Sequence, residues 1–313
     1  MISCKQYGID DKDAWDAFVA TCRTPLFFFQ RGYMDYHQDR FADGSLLFYE
    51  DEKLVALMPA SLQGDKLVSH GGLTFGGLLL SPKIRAEGVL QCFESMTAFA
   101  KDVLGCATII YKAIPHIFQT SAAEEDLYAL TRSGATLVRR DLSSVIYLEN
   151  RIPLSKGRKW LINRAKKHGL VVIESEDWSA FHALLSSALA RHGVTPIHSV
   201  AELELLRSRF PDQIKLMAVE SDGKMVAGLV LFRFGNVDHT QYLATCDEGK
   251  PLGALDYLID TTLQASGNDN VKFFSFGAST EQQGHYLNAG LIEQKENFGA
   301  RGLTLDFYEI KLS

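Results

Sequence analysis

Apolar residues recur along this chain in two rhythms, a period of two and a spacing of three and four, and their alternation outlines the elements. Trp15 to Thr21 and Tyr33 to Phe41 read as short helices, and SLLFYEDEKLVALMPASL reads as a hairpin turning at Asp51 and Glu52. Val89, Leu90, Phe93, Met96, Phe99, Ala100 and Val103 form one helical face between Glu87 and Val103. ATIIYKAI is a buried strand, a helix lies around Glu124 to Arg132, and SSVIYLE closes the first half as a strand. In the second half LVVIE is a strand, Trp178 to His192 a helix, and AELELLRSRF a second helix before Pro211. IKLMAVESDGKMVAGLVLFRFGNVDHTQYLAT alternates as three strands turning at Asp222–Gly223 and near Gly235 and Asn236. Ala254, Leu255, Leu258, Ile259, Thr262 and Leu263 then share a helical face, Gly267 is read as its stop, and VKFFSFG is the next strand.

With 313 residues, 46% of them hydrophobic, the chain exceeds the ~250–300 residues at which single cores stop growing, so two domains are expected. The pattern divides as 1–150, a basic linking helix at 151–169, and 170–313. The net charge of −6 and pI near 5.9 exclude a surface built throughout for polyanions but leave room for a local basic patch. SKGRKWLINRAKKHG is such a patch: Lys156, Arg158, Lys159, Arg164, Lys166 and Lys167 stand there without an acidic residue. Either a solvated face or contact with a phosphate-bearing substrate accounts for it. Five cysteines with no CxxC pair argue against a disulfide framework and a zinc site, so no metal is expected. The N-terminus lacks the marks of a secretory signal and no stretch is long and apolar enough to span a bilayer, so a cytoplasmic protein without membrane insertion is expected.

A strand meander, a glycine-rich helix start, a further strand and a short helix ending Y-x-x-x-G-L resemble the order of parts in the GNAT acyltransferase superfamily. DGKMVAGLVLF resembles its central hairpin, EGKPLGALDYLID its pyrophosphate loop and helix, and YLNAGL its closing signature, together spanning Gly223 to Leu291. DLYALTRSGATL, from Asp126, echoes HYLNAGL and suggests a degenerate internal duplication. Tandem domains with KGRKWLINRAKKHGL, FFSFGAS and QKENFGAR are similar to the Fem-type family of nonribosomal peptidyl and aminoacyl transferases. The resemblance implies a mixed α+β (α/β) fold of two GNAT-like domains in tandem, each a mostly antiparallel twisted sheet flanked by helices. It implies an acyltransferase moving an acyl group from acetyl-CoA or another acyl-CoA to an amine of a small-molecule or cell-envelope precursor. The alternatives are Fem-like transfer from aminoacyl-tRNA to a peptidoglycan precursor, and a noncatalytic ligand-binding module. The oligomeric state is left open.

Gly249, Lys250, Leu252, Gly253 and Ala254 are the expected donor-binding residues, because free amides at a helix N-terminus hold anions. Pro251 removes one donor there and Glu248 adds a carboxylate, so the loop departs from the superfamily pattern. Tyr286, four residues before Gly290, matches the superfamily tyrosine that protonates the leaving thiolate. His239, with an ordinary pKa of about 6.5, suits deprotonation of the amine. Glu281 is the third catalytic candidate, and helix capping accounts for it equally. Strict alternation places His239, Gln241, Leu243 and Thr245 on one face of their strand and Thr240, Tyr242 and Ala244 on the other. Gln241 and Tyr242 are expected to contact the acceptor, as is His70 within SHGGLTFGG; Arg31, Lys295 and Arg301 are candidates for its anionic groups. No cysteine carries a nucleophile motif, which favours direct attack in a ternary complex.

Overall fold

The computed structural model describes residues 1–191 and 193–312. Its contacts divide the chain into two compact units: Met1–Leu142, Thr280–Tyr286 and the chain from Thr304 onward, and Ser143–Ser279 with Leu287–Leu303. The expected boundary at 150 therefore moves to Leu142, inside a strand, and the C-terminal strand belongs in part to the first unit. The charged run LVRRD had concealed the first half of that strand, because a hydrophobic pattern registers only the face that a strand buries.

The first unit runs β1 (Ile2–Gln6), α1 (Lys12–Thr21), β2 (Leu46–Glu50), β3 (Lys53–Met58), α2 (Ala86–Asp102), β4 (Thr108–Lys112), α3 (Glu125–Arg132) and the start of β5 (Thr136–Tyr147). β1, β2 and β3 pair antiparallel, and the β2–β3 turn places Asp51 and Glu52 at φ of 46° and 64°, the mirror-turn geometry that matches strand twist. The helix expected over Tyr33–Phe41 is only a turn at Arg31–Met34 followed by a 3-10 turn at Asp35–His37. The core joins Phe48, Met58, Phe93, Met96, Ile109 and Tyr111.

The second unit contains α4 (Lys156–Lys167), β6 (Val171–Ser175), α5 (Trp178–Ala190), α6 (Val200–Arg209), β7 (Ile214–Ser221), β8 (Lys224–Phe234), β9 (Val237–Thr245), α7 (Ala254–Asn268), β10 (Phe273–Ala278) and α8 (Ala289–Glu296), followed by β11 (Arg301–Lys311). His192, the last residue of the expected α5, lies outside the described residues. Strand order is β6-β7-β8-β9-β10, with the end of β5 beyond β10. Tight turns keep β7, β8 and β9 antiparallel, whereas α7 carries the chain back over the sheet and makes β9 and β10 parallel. Both faces of β8 are covered: Ala227, Leu229 and Leu231 enter the core with α7, while Gly228 lies against Phe181 of α5.

The basic segment is no linker. Ile162 and Ala165 of α4 are buried, and Arg158–Asp256 at 2.6 Å and Arg151–Asp260 at 3.2 Å fasten the segment to α7. Ser155 caps α4 by accepting the Arg158 amide, and Gly169, at φ +69°, follows its end. Two further boundaries differ: α7 continues through Gly267 to Asn268, and the helix expected to end at the Y-x-x-x-G-L motif instead begins within it, at Ala289, with Tyr286 in a two-residue strand before it. In the first unit, β11 lies between β5 and β4 and pairs antiparallel with β4.

Candidate active site

β9 and β10 pair only from Val237↔Phe273 to His239↔Ser275; beyond that the parallel strands part. Their facing main-chain groups lose each other as ladder partners, and on β10 the Ser275 carbonyl accepts the Thr240 hydroxyl while Gly277 O and Ala278 O accept Lys295 Nζ. The register of β9 against β8 also slips there, from Leu231↔Thr240 to Val230↔Tyr242, so Gln241 is a bulged residue with no cross-strand counterpart in the β8 register. The bulge corrects the alternation expected from sequence. Cross-strand neighbours share a face, so Thr240 and Leu243 go with Leu231 and Leu229, and His239 and Tyr242 go with Phe232 and Val230.

Where the strands part lies a cavity of about 530 Å³, within the range of small-ligand sites. Leu243 and Ala244 of β9, Phe276 of β10, Leu255 and Ile259 of α7, and Phe298 give it apolar walls. Its charged lining is Arg158, Arg191, Lys250, Asp256 and Lys295. Arg158 holds Asp256, while Asp247 takes Arg191 at 2.8 Å and Lys250 at 2.9 Å. Lys295 is 5% exposed and has no carboxylate partner among the described residues. Its three N–H bonds go to Gly277 O, Ala278 O and Ser279 Oγ at 2.8–2.9 Å, and burial pulls its ammonium down to about 8.

Of the residues singled out from sequence, Lys250 and Lys295 line this cavity. Gly249 and Gly253 serve packing instead of an open phosphate cradle. A Cβ on Gly249 would come within 2.7 Å of Thr245 Oγ1; one on Gly253, at φ +73°, would overlap the Leu161 carbonyl. Gly249 to Leu252 form a single helical turn, with the Gly249 amide on Cys246 Sγ and the Lys250 amide on Cys246 O; Ala254 is wholly buried. Leu255 and Asp256, in the first turn of α7 where helical amides lack intrahelical acceptors, are among the residues that line the cavity.

His239 receives a bond from, or gives one to, Ser275 Oγ at 3.0 Å. Burial, then the Lys295 charge, holds its imidazole down at about 4, so it is neutral near pH 7 and a weaker base than the ordinary value implied. Tyr242 bonds His198 Nδ1 at 2.6 Å, half-buried against the α5–α6 loop. Tyr286 is 51% exposed, Glu281 is exposed on a two-residue strand, and neither lines the cavity. In the first unit, Arg31 is buried and committed to Asp35 at 2.6 Å and to Asp43, which removes it as a free anion contact. His70 is buried at φ +47°, and Arg301 is exposed at the start of β11. Burial raises the Cys246 thiol, so it is no ready nucleophile.

Sequence reasoning passed over Asp256, Arg191 and Phe298, and it read Arg158 only as part of the basic patch. One signal was available: Asp256 and Asp260 stand four apart beside an apolar helical face, a placement that calls for buried cationic partners.

Residues 155–286 match the family model described as an acetyltransferase (GNAT) domain. That match, together with the parting parallel strands, makes the protein an acyltransferase of GNAT fold. The whole chain follows a Fem-like, tandem-GNAT backbone. It is similar to the crystal structure of FemX, with a TM-score of 0.70 at 10% identity over 99% of this chain and 97% of that one. It is also similar to L-PGS from Bacillus licheniformis, with a TM-score of 0.64 at 14% identity over 99% and 93%. A tandem GNAT protein from the clavulanic acid biosynthesis pathway gives a TM-score of 0.51 at 12% identity over 100% and 98%. No curated protein sequence matches the chain. Among the described residues, no helix is long and apolar enough to cross a membrane.

Proposed function

We propose that the protein is an N-acyltransferase that binds an acyl-coenzyme A in the second unit and passes its acyl group to the amine of a small-molecule or cell-envelope precursor. The observation that carries this reading is the 530 Å³ cavity at the parting of β9 and β10, with buried Lys295 in its wall. The β9 edge released from its ladder with β10 suits a donor arm that carries amides, because such an arm hydrogen-bonds as an added strand does. Lys250, Arg191 and the first amides of α7 suit its phosphates, and Arg158 neutralises Asp256, which otherwise opposes them.

In the reaction the amine nitrogen forms a bond to the acyl carbon, the carbon–sulfur bond breaks, and the thiolate leaves with the proton the amine gives up. Charge develops on the carbonyl oxygen in between. Lys295 spends all three N–H bonds on protein acceptors, so it acts as a fixed positive charge beside that oxygen. His239 is not among the residues that line the cavity and, being neutral, adds no charge near it. The donor is tested by titrating acetyl-coenzyme A: the melting temperature is expected to rise saturably. With an amine acceptor, Lys295→Met is expected to slow release of free thiol by roughly 10²-fold. No melting shift, together with unchanged thiol release in the variant, overturns the reading.

One observation favours a second reading, with aminoacyl-tRNA as donor. Lys156, Lys159, Lys166 and Lys167 of α4 are exposed beside exposed Trp160, and none of these lysines pairs with a carboxylate among the described residues. A polyanion suits that face, and Arg158 and Leu161 of the same helix border the cavity. A tRNA gel shift that weakens steeply with salt and with Lys156→Ala/Lys159→Ala, alongside indifference to acetyl-coenzyme A, decides for it.

A further inference from the structure

We propose that the first unit holds a separate binding site for a compact anion, a carboxylate or phosphate group of a small molecule, built on Lys112 and Arg139. The site lies on three adjacent strands. Lys112 at the end of β4 stands opposite Phe307 of β11, and Arg139 comes from β5 on the other side of β11. Both cations lie over the same ring, the Arg139 guanidinium carbon at 4.5 Å from its centroid and Lys112 Nζ at 5.9 Å.

Lys112 is 6% exposed, yet its ammonium has one hydrogen-bond acceptor, the Leu73 carbonyl, and no carboxylate among the described residues. Lys295 supplies the contrast: equally buried, it uses all three N–H bonds. A buried ammonium whose three donors are all met, as in Lys295, costs the fold less than one that leaves donors unused, as Lys112 does among the described residues. Nearby carboxylates are already committed. Asp141 takes Arg139 and the Thr280 hydroxyl, and Asp306 takes both ends of the Arg140 guanidinium. The cluster thus holds one more cation than it can pair. Burial first, then Arg139, lowers the Lys112 ammonium to about 7, the mark of a charge lacking its counterion.

The glycine-rich stretch singled out from sequence closes over this lysine. The Lys112 amide donates to Ser69 Oγ at 2.6 Å and its carbonyl accepts the Gly76 amide at 3.0 Å, so both ends of the loop are tied to one residue. Gly72 and Thr74 remain exposed at the tip. Arg139 keeps 38% of its side chain exposed and is the open end of the pair: Nε and Nη2 hold Asp141 Oδ2, which leaves Nη1 as the donor for an anion.

The test is thermal unfolding of the full chain in rising inorganic phosphate or acetate, against chloride at matched ionic strength, for the wild type, Lys112→Met and Arg139→Gln. The wild type is expected to gain about 2–4 °C when the anion reaches roughly five times its dissociation constant, and to saturate. Both substitutions are expected to remove the gain. Without anion, Lys112→Met is expected to melt at the wild-type temperature or above, because an unpaired buried charge has gone. A response to phosphate alone, acetate alone or both supports the site and identifies the group it takes. No saturable response in the wild type overturns the proposal, as does a response that survives in both variants. Should Lys112→Met melt lower while Arg139→Gln keeps the response, the lysine is a structural prop and the proposal fails. If Lys112→Met does not fold, the wild-type titration and Arg139→Gln decide alone.

Discussion

Substituting Gly253 by Ala strikes the point where α4 meets the start of α7. Gly253 has φ +73° and ψ 26°, and a Cβ there would overlap the Leu161 carbonyl oxygen and lie 2.8 Å from its carbonyl carbon. The left-handed conformation costs a side chain about 1–2 kcal/mol. The overlap is with backbone, so no rotamer relieves it and α4 must retreat, at a further cost of about 1–3 kcal/mol. Together these give a loss near 3 kcal/mol. Gly267→Ala is the control. It makes the same substitution within the same helix, at ordinary φ with nothing within 4 Å, and helix propensity alone predicts a gain of about 0.5–1 kcal/mol. Urea unfolding followed by tryptophan fluorescence separates them, since Trp160 and Trp178 report on the second unit and Trp15 on the first. At a slope near 2 kcal/mol/M, the Gly253→Ala midpoint is expected to fall by about 1.5 M and the Gly267→Ala midpoint to rise slightly. If Gly253→Ala stays within about 0.5 kcal/mol of the wild type, the seating of α4 on α7 described above is wrong.

Three further outcomes follow from the same contacts. Arg158→Met leaves the Asp256 carboxylate buried without its partner and is expected to cost about 2–3 kcal/mol, much of it recovered by adding Asp256→Asn; a double-mutant cycle with coupling near zero refutes the pairing. His239, lowered in the folded state to about 4 from 6.5, makes a contribution that is complete above pH 6.5 and lost as pH falls toward 4; the unfolding free energy of His239→Gln should be flatter across that window, and an identical slope contradicts the burial argument. Asp126 has the opposite sign: burial pushes it up to about 6, so its contribution is complete below pH 3.8 and lost as pH rises through 6. Asp126→Asn keeps an acceptor for the Tyr111 hydroxyl, 2.6 Å away, and is expected to stabilise at pH 7.5 more than at pH 4; the reverse order in denaturation midpoints rules this out.

Much of the architecture was readable along the chain. The β7–β8–β9 meander, the apolar face of α7 and the hairpin at Asp51–Glu52 came from local rhythm and turn chemistry and lie within a residue or two of their expected places, and the basic helix occupies Lys156–Lys167 of the expected 151–169. The site was less legible. Lys295 looked like one more surface cation, and only the turn from Gly277 to Ser279 shows that its head is enclosed. Gly249 and Gly253 suggested a phosphate loop, but glycine serves close backbone approach as readily as anion binding, and here it serves packing. One extra residue at Gln241 reversed which side chains of β9 face together.

By itself the sequence determined the kind of local structure, the pairing of strands joined by short turns, and the order of parts that resembles a GNAT acyltransferase. These depend on residues near one another along the chain, whose periodicity and φ preferences act before any tertiary contact forms. Tertiary structure alone decided where β9 and β10 separate, which cations find carboxylates, and which buried lysine has its three acceptors while another has one. Such outcomes depend on groups brought together from distant positions, where burial and opposing charge set their protonation and no local pattern records the meeting.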